Sequence, residues 1–194
     1  MMLDSQYWNK RYADQTHQWD IGAISKPLQT YFDQLTNLDT DMRILIPGCG
    51  SGYEADYLLQ KGFKNIVILD FSKTITNQLK QKYHDNKQIK ILCGDFFKHE
   101  GTYDMVVEQT FFCAIDPALR LHYVLKMTEL LAKKGRLVGV LFNRTFAVNP
   151  PFGGNKLEYI DLFEPYFTLK TIDECHNSIP QRQGSELFIN FIKK

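Results

Sequence analysis

A chain of 194 residues, 44% hydrophobic and 23% charged, has the length and composition of a single ordered α/β domain that closes its core without disulfides or metal. A formal charge of +1 gives no electrostatic ground for a nucleic-acid or anionic-membrane partner, which leaves a small molecule as the expected ligand and a monomer as the expected state. No run reaches membrane-spanning length, no basic-then-apolar leader opens the chain, and Cys49, Cys93, Cys113 and Cys175 show no metal-binding spacing, so free thiols in the cytoplasm are expected.

The segment from Gln6 to Gly22 crowds Tyr7, Trp8, Tyr12, His17 and Trp19 among Lys10, Arg11 and Asp20. It reads as a short helix and loop, and residues 1–26 are expected to form an aromatic lid ahead of the main fold. Leu28, Tyr31, Phe32 and Leu35 repeat at helical spacing after Pro27, which suits a first turn. Apolar runs predict strands at 43–47, 65–70 and 88–93. Between them fall helices at 53–61, stopped by Gly62, and from a Ser72 cap to Tyr83. A fourth strand at 103–107 runs on into Glu108-Gln109-Thr110-Phe111-Phe112. Pro117 opens a helix with apolar positions 121, 124, 127, 130 and 131, closed by Gly135. Strand 137–142 is continuous and apolar, as a strand buried on both faces is. A turn-rich stretch at 149–155, a helix at 156–166 and strands at 168–174 and 185–192 follow. The alternation predicts a doubly wound, three-layer α/β fold of seven mostly parallel strands. The last two strands, joined without a helix, are expected to be antiparallel.

Function is concentrated at the strand ends. Gly48, Gly50 and Gly52 follow the first strand, where a backbone without Cβ atoms lets a ligand approach closely. Asp70 ends the second strand, where a carboxylate can accept hydrogen bonds from both hydroxyls of a ribose. Tyr53 stands where a dinucleotide fingerprint has its third glycine, and no Lys-Ser or Lys-Thr follows as in a P-loop. No Arg or Lys falls between Arg43 and Lys61 to meet a pyrophosphate, whereas Glu54 and Asp56 put negative charge by the helix start. That pattern suits a cationic nucleoside cofactor, and S-adenosylmethionine, with its ammonium and sulfonium, has this chemistry.

Asp95 is placed to accept from an adenine amino group, beside an apolar wall at Phe96. Glu108 and Gln109 stand at the height of the methionine portion. Trp8, Tyr12 and Trp19 offer a lid whose ring faces attract a sulfonium. Phe111, Phe112, Phe146 and Pro150-Pro151-Phe152 are candidates for an apolar acceptor wall, and Arg182 for an anion contact. His17, His84, His99, His122 and His176 show no catalytic or metal-ligand spacing.

Together these segments resemble the thiopurine S-methyltransferase superfamily, and within it the thiol/halide methyltransferase branch. The resemblance is carried by Tyr7-Trp8-Asn9-Lys10-Arg11-Tyr12, Trp19-Asp20-Ile21-Gly22 and Ile46-Pro47-Gly48-Cys49-Gly50-Ser51-Gly52-Tyr53. Further along it rests on Leu69-Asp70-Phe71-Ser72, Gly94-Asp95-Phe96-Phe97, the run from Thr110 to Pro117, Pro150-Pro151-Phe152 and Ser178-Ile179-Pro180-x-Arg182-x-Gly184. It implies a Rossmann-like methyltransferase fold, with S-adenosylmethionine held by Trp8, Trp19, Gly48, Asp70, Asp95, Phe96 and Gln109 and released as S-adenosylhomocysteine. The implied reaction is methyl transfer to a small soft nucleophile such as a thiol, halide or thiocyanate. Tyr12 stands where the family often has tryptophan, Gln109 where relatives tend to have tyrosine or arginine, and Asn149 where glycine commonly precedes Pro-Pro-Phe. The acceptor therefore stays open. Positioning and desolvation, with Gln109 and Arg182 orienting the acceptor, are the expected means of catalysis, with no general base and no metal. The competing readings are a non-catalytic S-adenosylmethionine-binding protein and a nicotinamide-dependent oxidoreductase, the latter weakened by Tyr53.

Overall fold

Long apolar runs flanked by turn residues build a central sheet with helices on both faces. The computed structural model describes residues 3–17, 19–36 and 39–194; Met1, Met2 and Gln18 of the expected lid lie outside the described residues, as do Asn37 and Leu38. Helices α1 (Ser5–Ala13) and α2 (Lys26–Gln34) precede β1 (Arg43–Pro47), α3 (Tyr53–Gln60), β2 (Asn65–Asp70), α4 (Lys73–Lys82) and β3 (Ile89–Cys93). There follow β4 (Tyr103–Gln109), α5 (Arg120–Leu130), β5 (Leu131–Phe142), α6 (Lys156–Phe163), β6 (Phe167–Glu174) and β7 (Glu186–Lys193). The seven strands lie in the order β3-β2-β1-β4-β5-β7-β6. Strands β1 to β5 pair in parallel, and β7 runs antiparallel to both β5 and β6.

Strand alternation sorts the core into two layers. Ile44, Ile46, Met105 and Val107 pack with α2, α3 and α4 through Phe32, Leu58 and Leu79. Leu45, Val106, Leu137 and Leu141 face the other way, onto Tyr123 and Met127 of α5 and Phe163 of α6. The helices are capped as their sequences dictate: Asp4 accepts from the Tyr7 N–H at 2.9 Å, Ser72 from Ile75 and Asn155 from Glu158.

Two expectations need correction. The helix after Pro117 is a 3-10 turn, Pro117–Leu119, followed by α5 from Arg120. This shift of phase turns Tyr123 inward and leaves Leu121 about half exposed, at 49%. Strand β5 begins at Leu131 instead of 137, because Leu131 already pairs with Tyr103 where the helix was expected to continue.

Candidate functional site

The carboxyl ends of β1, β2, β3 and β4 open into a cavity of about 470 Å³, a size typical of small-molecule sites. Gly48, Asp70, Asp95, Phe96, Gln109 and Phe111 line it from the strand ends, and Trp8, Tyr12 and Trp19 line it from the N-terminal segment. The aromatic segment is held over the strand ends by specific bonds. Asn9 Oδ1 accepts from Ser72 Oγ at 2.8 Å and from the Thr74 N–H at 3.1 Å, which docks α1 on the start of α4. Asp20 accepts from Ser51 Oγ at 2.5 Å, tying the segment to the glycine loop. Trp19 sits edge-on to Trp8 at 5.5 Å and to Tyr12 at 5.9 Å between ring centroids. Burial and the nearby Asp70 carboxylate push the Tyr12 hydroxyl far above its ordinary value, so it stays protonated.

Asp70 organises the floor. Its carboxylate accepts from the Gly50 N–H at 3.1 Å and from the Ser72 N–H at 2.8 Å while facing the cavity. Burial raises its pKa and these amide donors work against the rise. Asp95 Oδ1 caps the following 3-10 turn by accepting from Phe97 at 2.9 Å, and the residue also lines the cavity. Gln109, at the end of β4, lines the cavity, and its Oε1 is buried with no partner within the protein. Thr110 then adopts φ +57, a conformation costly for a β-branched residue. After this turn the Phe111 ring packs on Gly48, where an added Cβ would lie 2.2 Å from Phe111 Cδ2.

Several residues singled out from the sequence lie elsewhere. Gly48 does line the cavity, but the Phe111 ring fills the space a Cβ would take, so the close approach at that point is made by a side chain of the protein. Gly50 has its N–H on Asp70, and Gly52 opens α3 at φ +77 against Leu79 and Tyr83. Neither lines the cavity. Phe112 is fully buried, packed on Tyr123 at 5.0 Å and on Tyr159 at 5.6 Å, so it belongs to the core.

Phe152 and Phe146 are also absent from the lining, while Pro150 and Pro151 are present. Glu54 is buried and Asp56 pairs with Lys82 and Tyr83, so the negative charge at the cavity comes from Asp70, Asp95 and Asp116 instead. Glu108 turns away from the cavity to accept from the Phe112 N–H at 3.0 Å and the Tyr123 hydroxyl at 2.5 Å. Arg182, expected at the acceptor, is bound to the Trp19 carbonyl at 2.6 Å and to Glu186 at 3.2 Å. Its guanidinium lies over Phe142, one residue behind the cavity wall.

The lining residues to which sequence reading gave no role include Phe71, Asp116, Leu119 and Phe142, with Leu3, Phe97, Ala114 and Ile115 beside them. Phe71 and Asp116 had a usable signal, since each directly follows a strand-end or motif residue already noted. Among the described residues no cluster of His, Cys, Asp or Glu is arranged to hold a metal, and no helix is long and apolar enough to cross a membrane. All four cysteines are free; burial pushes the Cys113 and Cys175 thiols up to about 12, which leaves them inert as nucleophiles.

A family model described as thiopurine S-methyltransferase (TPMT) matches residues 3–190. The chain belongs to this family. It is 28% identical over 186 residues to probable thiol methyltransferase 2 of Arabidopsis thaliana, covering 92% of this chain and 81% of that protein. Identity to thiocyanate methyltransferase 1 of the same plant is 26%, with the same coverage. The crystal structure of Burkholderia thailandensis 1,6-didemethyltoxoflavin-N1-methyltransferase, with S-adenosylhomocysteine bound, superposes with a TM-score of 0.77 at 17% identity. It covers 98% of this chain and 87% of that one, and establishes the Rossmann-like methyltransferase fold.

This thiopurine S-methyltransferase family member is an S-adenosylmethionine-dependent methyltransferase of small nucleophiles. Its cavity fits that cofactor on its own chemistry. Eight aromatic residues and three aspartates line the space, and the buried Oε1 of the bordering Gln109 has no protein partner. No Lys, Arg or His among the described residues lines it.

Proposed function

We propose that the chain methylates a soft sulfur nucleophile, with the donor held by Trp8, Tyr12, Trp19, Asp70, Asp95, Phe96 and Gln109. The observation that carries this reading is a cavity lined by carboxylates and aromatic rings and by no cation among the described residues, bordered by Gln109, whose buried Oε1 has no partner within the protein. An acceptor oxygen left without a donor costs about 1–3 kcal/mol unless a ligand supplies one, and an ammonium or a thiol hydrogen can do so. When bound, S-adenosylmethionine supplies an electrophilic methyl group on a sulfonium.

The protein's own residues then have four tasks. Asp70 and Asp95 accept hydrogen bonds from the nucleoside end. Trp8, Tyr12 and Trp19 exclude water and face a positive charge, a contact worth about 0.5–2 kcal/mol. Gln109 sets the orientation of the donor's amino-acid end or of the acceptor. Phe111 and Phe142 hold the nucleophile in line, and such alignment contributes about 7–11 kcal/mol. A thiolate needs no further base, which agrees with a cavity lined by no histidine and no cysteine among the described residues.

We take residues 1–194 as one domain, with the N-terminal segment as its lid, acting as a monomer on small molecules in the cytoplasm, where free thiols persist. The test is a calorimetric titration with S-adenosylmethionine and with NAD, followed by a methylation assay over thiols, thiocyanate and halides. Binding of S-adenosylmethionine with turnover of at least one thiol is expected. Binding of NAD alone would overturn the reading, and donor binding without any turnover would reduce the protein to a cofactor-binding module.

A further inference from the structure

The charge at the end of the cavity lined by residues 114–119 is one-sided. Asp116 stands at its solvent-exposed rim beside Leu119, and Ile115, Phe142 and Pro151 complete the wall there. Asp116 Oδ1 caps the adjacent 3-10 turn by accepting from the Ala118 N–H at 2.9 Å. Three arginines near this end are engaged elsewhere, Arg120 by Glu158 and the Gly153 carbonyl. Arg182 is held by Glu186 and the Trp19 carbonyl, and Arg144 lies 4.9 Å from the centre of the Phe146 ring. Gln109, whose side chain also reaches the cavity, is neutral.

We propose that this end selects apolar thiols bearing no second negative charge, and that Asp116 is the specificity-determining residue. The proposal rests on the methyl-transfer reading above. A thiol gives its proton to bulk water on entering. The thiolate lone pair forms the new S–C bond, and the electron pair of the breaking C–S bond returns to the donor sulfur, which leaves as a neutral thioether. In that exchange the single thiolate charge is matched by the single sulfonium charge. A second anionic group on the acceptor, such as a carboxylate, finds no cation in the wall and is repelled by Asp116. Iodide or thiocyanate satisfies the charge balance but gains little from the apolar wall, which an aryl or alkyl thiol buries.

The test compares thiophenol with 4-mercaptobenzoate by kcat/KM. Separately from turnover, it compares the Kd of their methylated products, read by quenching of Trp8 and Trp19, the chain's two tryptophans. An advantage of about ten-fold or more for the uncharged compound is expected in both measurements. Asp116→Asn keeps an oxygen that can cap the turn and should narrow both ratios to a few-fold. Equal handling of the two compounds, ratios unchanged in Asp116→Asn, or faster turnover of iodide or thiocyanate than of thiophenol would each overturn the proposal. If S-adenosylmethionine fails to bind and no acceptor reacts, the proposed function falls, and the product-binding ratio still decides the selectivity.

Discussion

Arg182 and Trp19 stand 163 positions apart in the chain and are joined by one bond, from Arg182 Nη2 to the Trp19 carbonyl at 2.6 Å. The same guanidinium reaches Glu186, which is only 2% exposed at the start of β7. The arginine thereby fastens the aromatic segment to the start of β7, an interior strand of the sheet, and is not itself part of the cavity lining.

This arrangement makes Arg182 a positioning residue. Arg182→Lys keeps a charge for Glu186 but lacks the planar fork that reaches the Trp19 carbonyl as well. We expect a donor Kd raised about ten-fold with modest loss of stability, measured by calorimetry and urea unfolding. Arg182→Ala leaves Glu186 buried without its partner and should cost about 3–5 kcal/mol. If donor affinity is unchanged in the lysine variant while acceptor KM rises, Arg182 acts on the acceptor after all.

Gly48 gives a second prediction. Its φ is +59, and a methyl group there would lie 2.2 Å from Phe111 Cδ2 and 2.6 Å from Cγ. Gly48→Ala must strain the backbone and displace the Phe111 ring together, a loss of about 1–3 kcal/mol. Since Phe111 is a cavity wall, donor binding should weaken as well. Gly22→Ala serves as the comparison: it has φ +75 but nothing within 4 Å of the added carbon. A Gly48 variant no less stable than the Gly22 variant would remove the argument from the Phe111 contact.

The sheet and the strand-end carboxylates were legible because they follow from local pattern. Continuous apolar runs give strands buried on both faces; Asp70 ends one such run, and Asp95 lies two residues past the end of β3. Harder to read was which of two neighbours faces the site. Glu108 and Gln109 are adjacent on β4, so their side chains must point to opposite faces, and strand alternation alone would have separated them. Phe111 and Phe112 diverge through the φ +57 turn at Thr110, which nothing in the residue types announces. The surroundings of Arg182 were hidden for a different reason. Its partners, Trp19 and Glu186, meet it only once β7 is paired with β5 and the N-terminal segment is folded over the sheet.

The lid gives the third prediction. Trp8 faces the cavity and packs edge-on against Trp19, with centroids 5.5 Å apart. Trp8→Leu keeps apolar bulk but removes the ring face, so a sulfonium loses a contact of about 0.5–2 kcal/mol. S-adenosylmethionine affinity should fall about 2- to 30-fold by calorimetry. Affinity for S-adenosylhomocysteine, which lacks the positive sulfur, should fall less. Equal losses for the two ligands would assign Trp8 to packing alone.

Glu108 supplies the last prediction, on pH. Burial pushes its carboxyl from 4.5 up to about 7, opposed by hydrogen bonds from the Tyr123 hydroxyl and the backbone of Phe112. The folded state therefore holds a proton that the unfolded chain has already released between about pH 4.5 and 7. The associated stability is present in full below the unfolded pKa and is lost as pH rises through the folded one. Glu54, also buried and pushed up to about 7, acts in the same direction. Wild-type unfolding free energy should thus decline between pH 5 and 8, by roughly 1–3 kcal/mol for Glu108 alone. Glu108→Gln keeps an oxygen for the Phe112 N–H and removes the titration, while Glu54 is left in place. Urea midpoints at pH 5, 6, 7 and 8 should therefore fall less steeply in the variant than in the wild type but should not become flat. Parallel pH profiles for the two proteins would show that the Glu108 carboxyl does not titrate in this range.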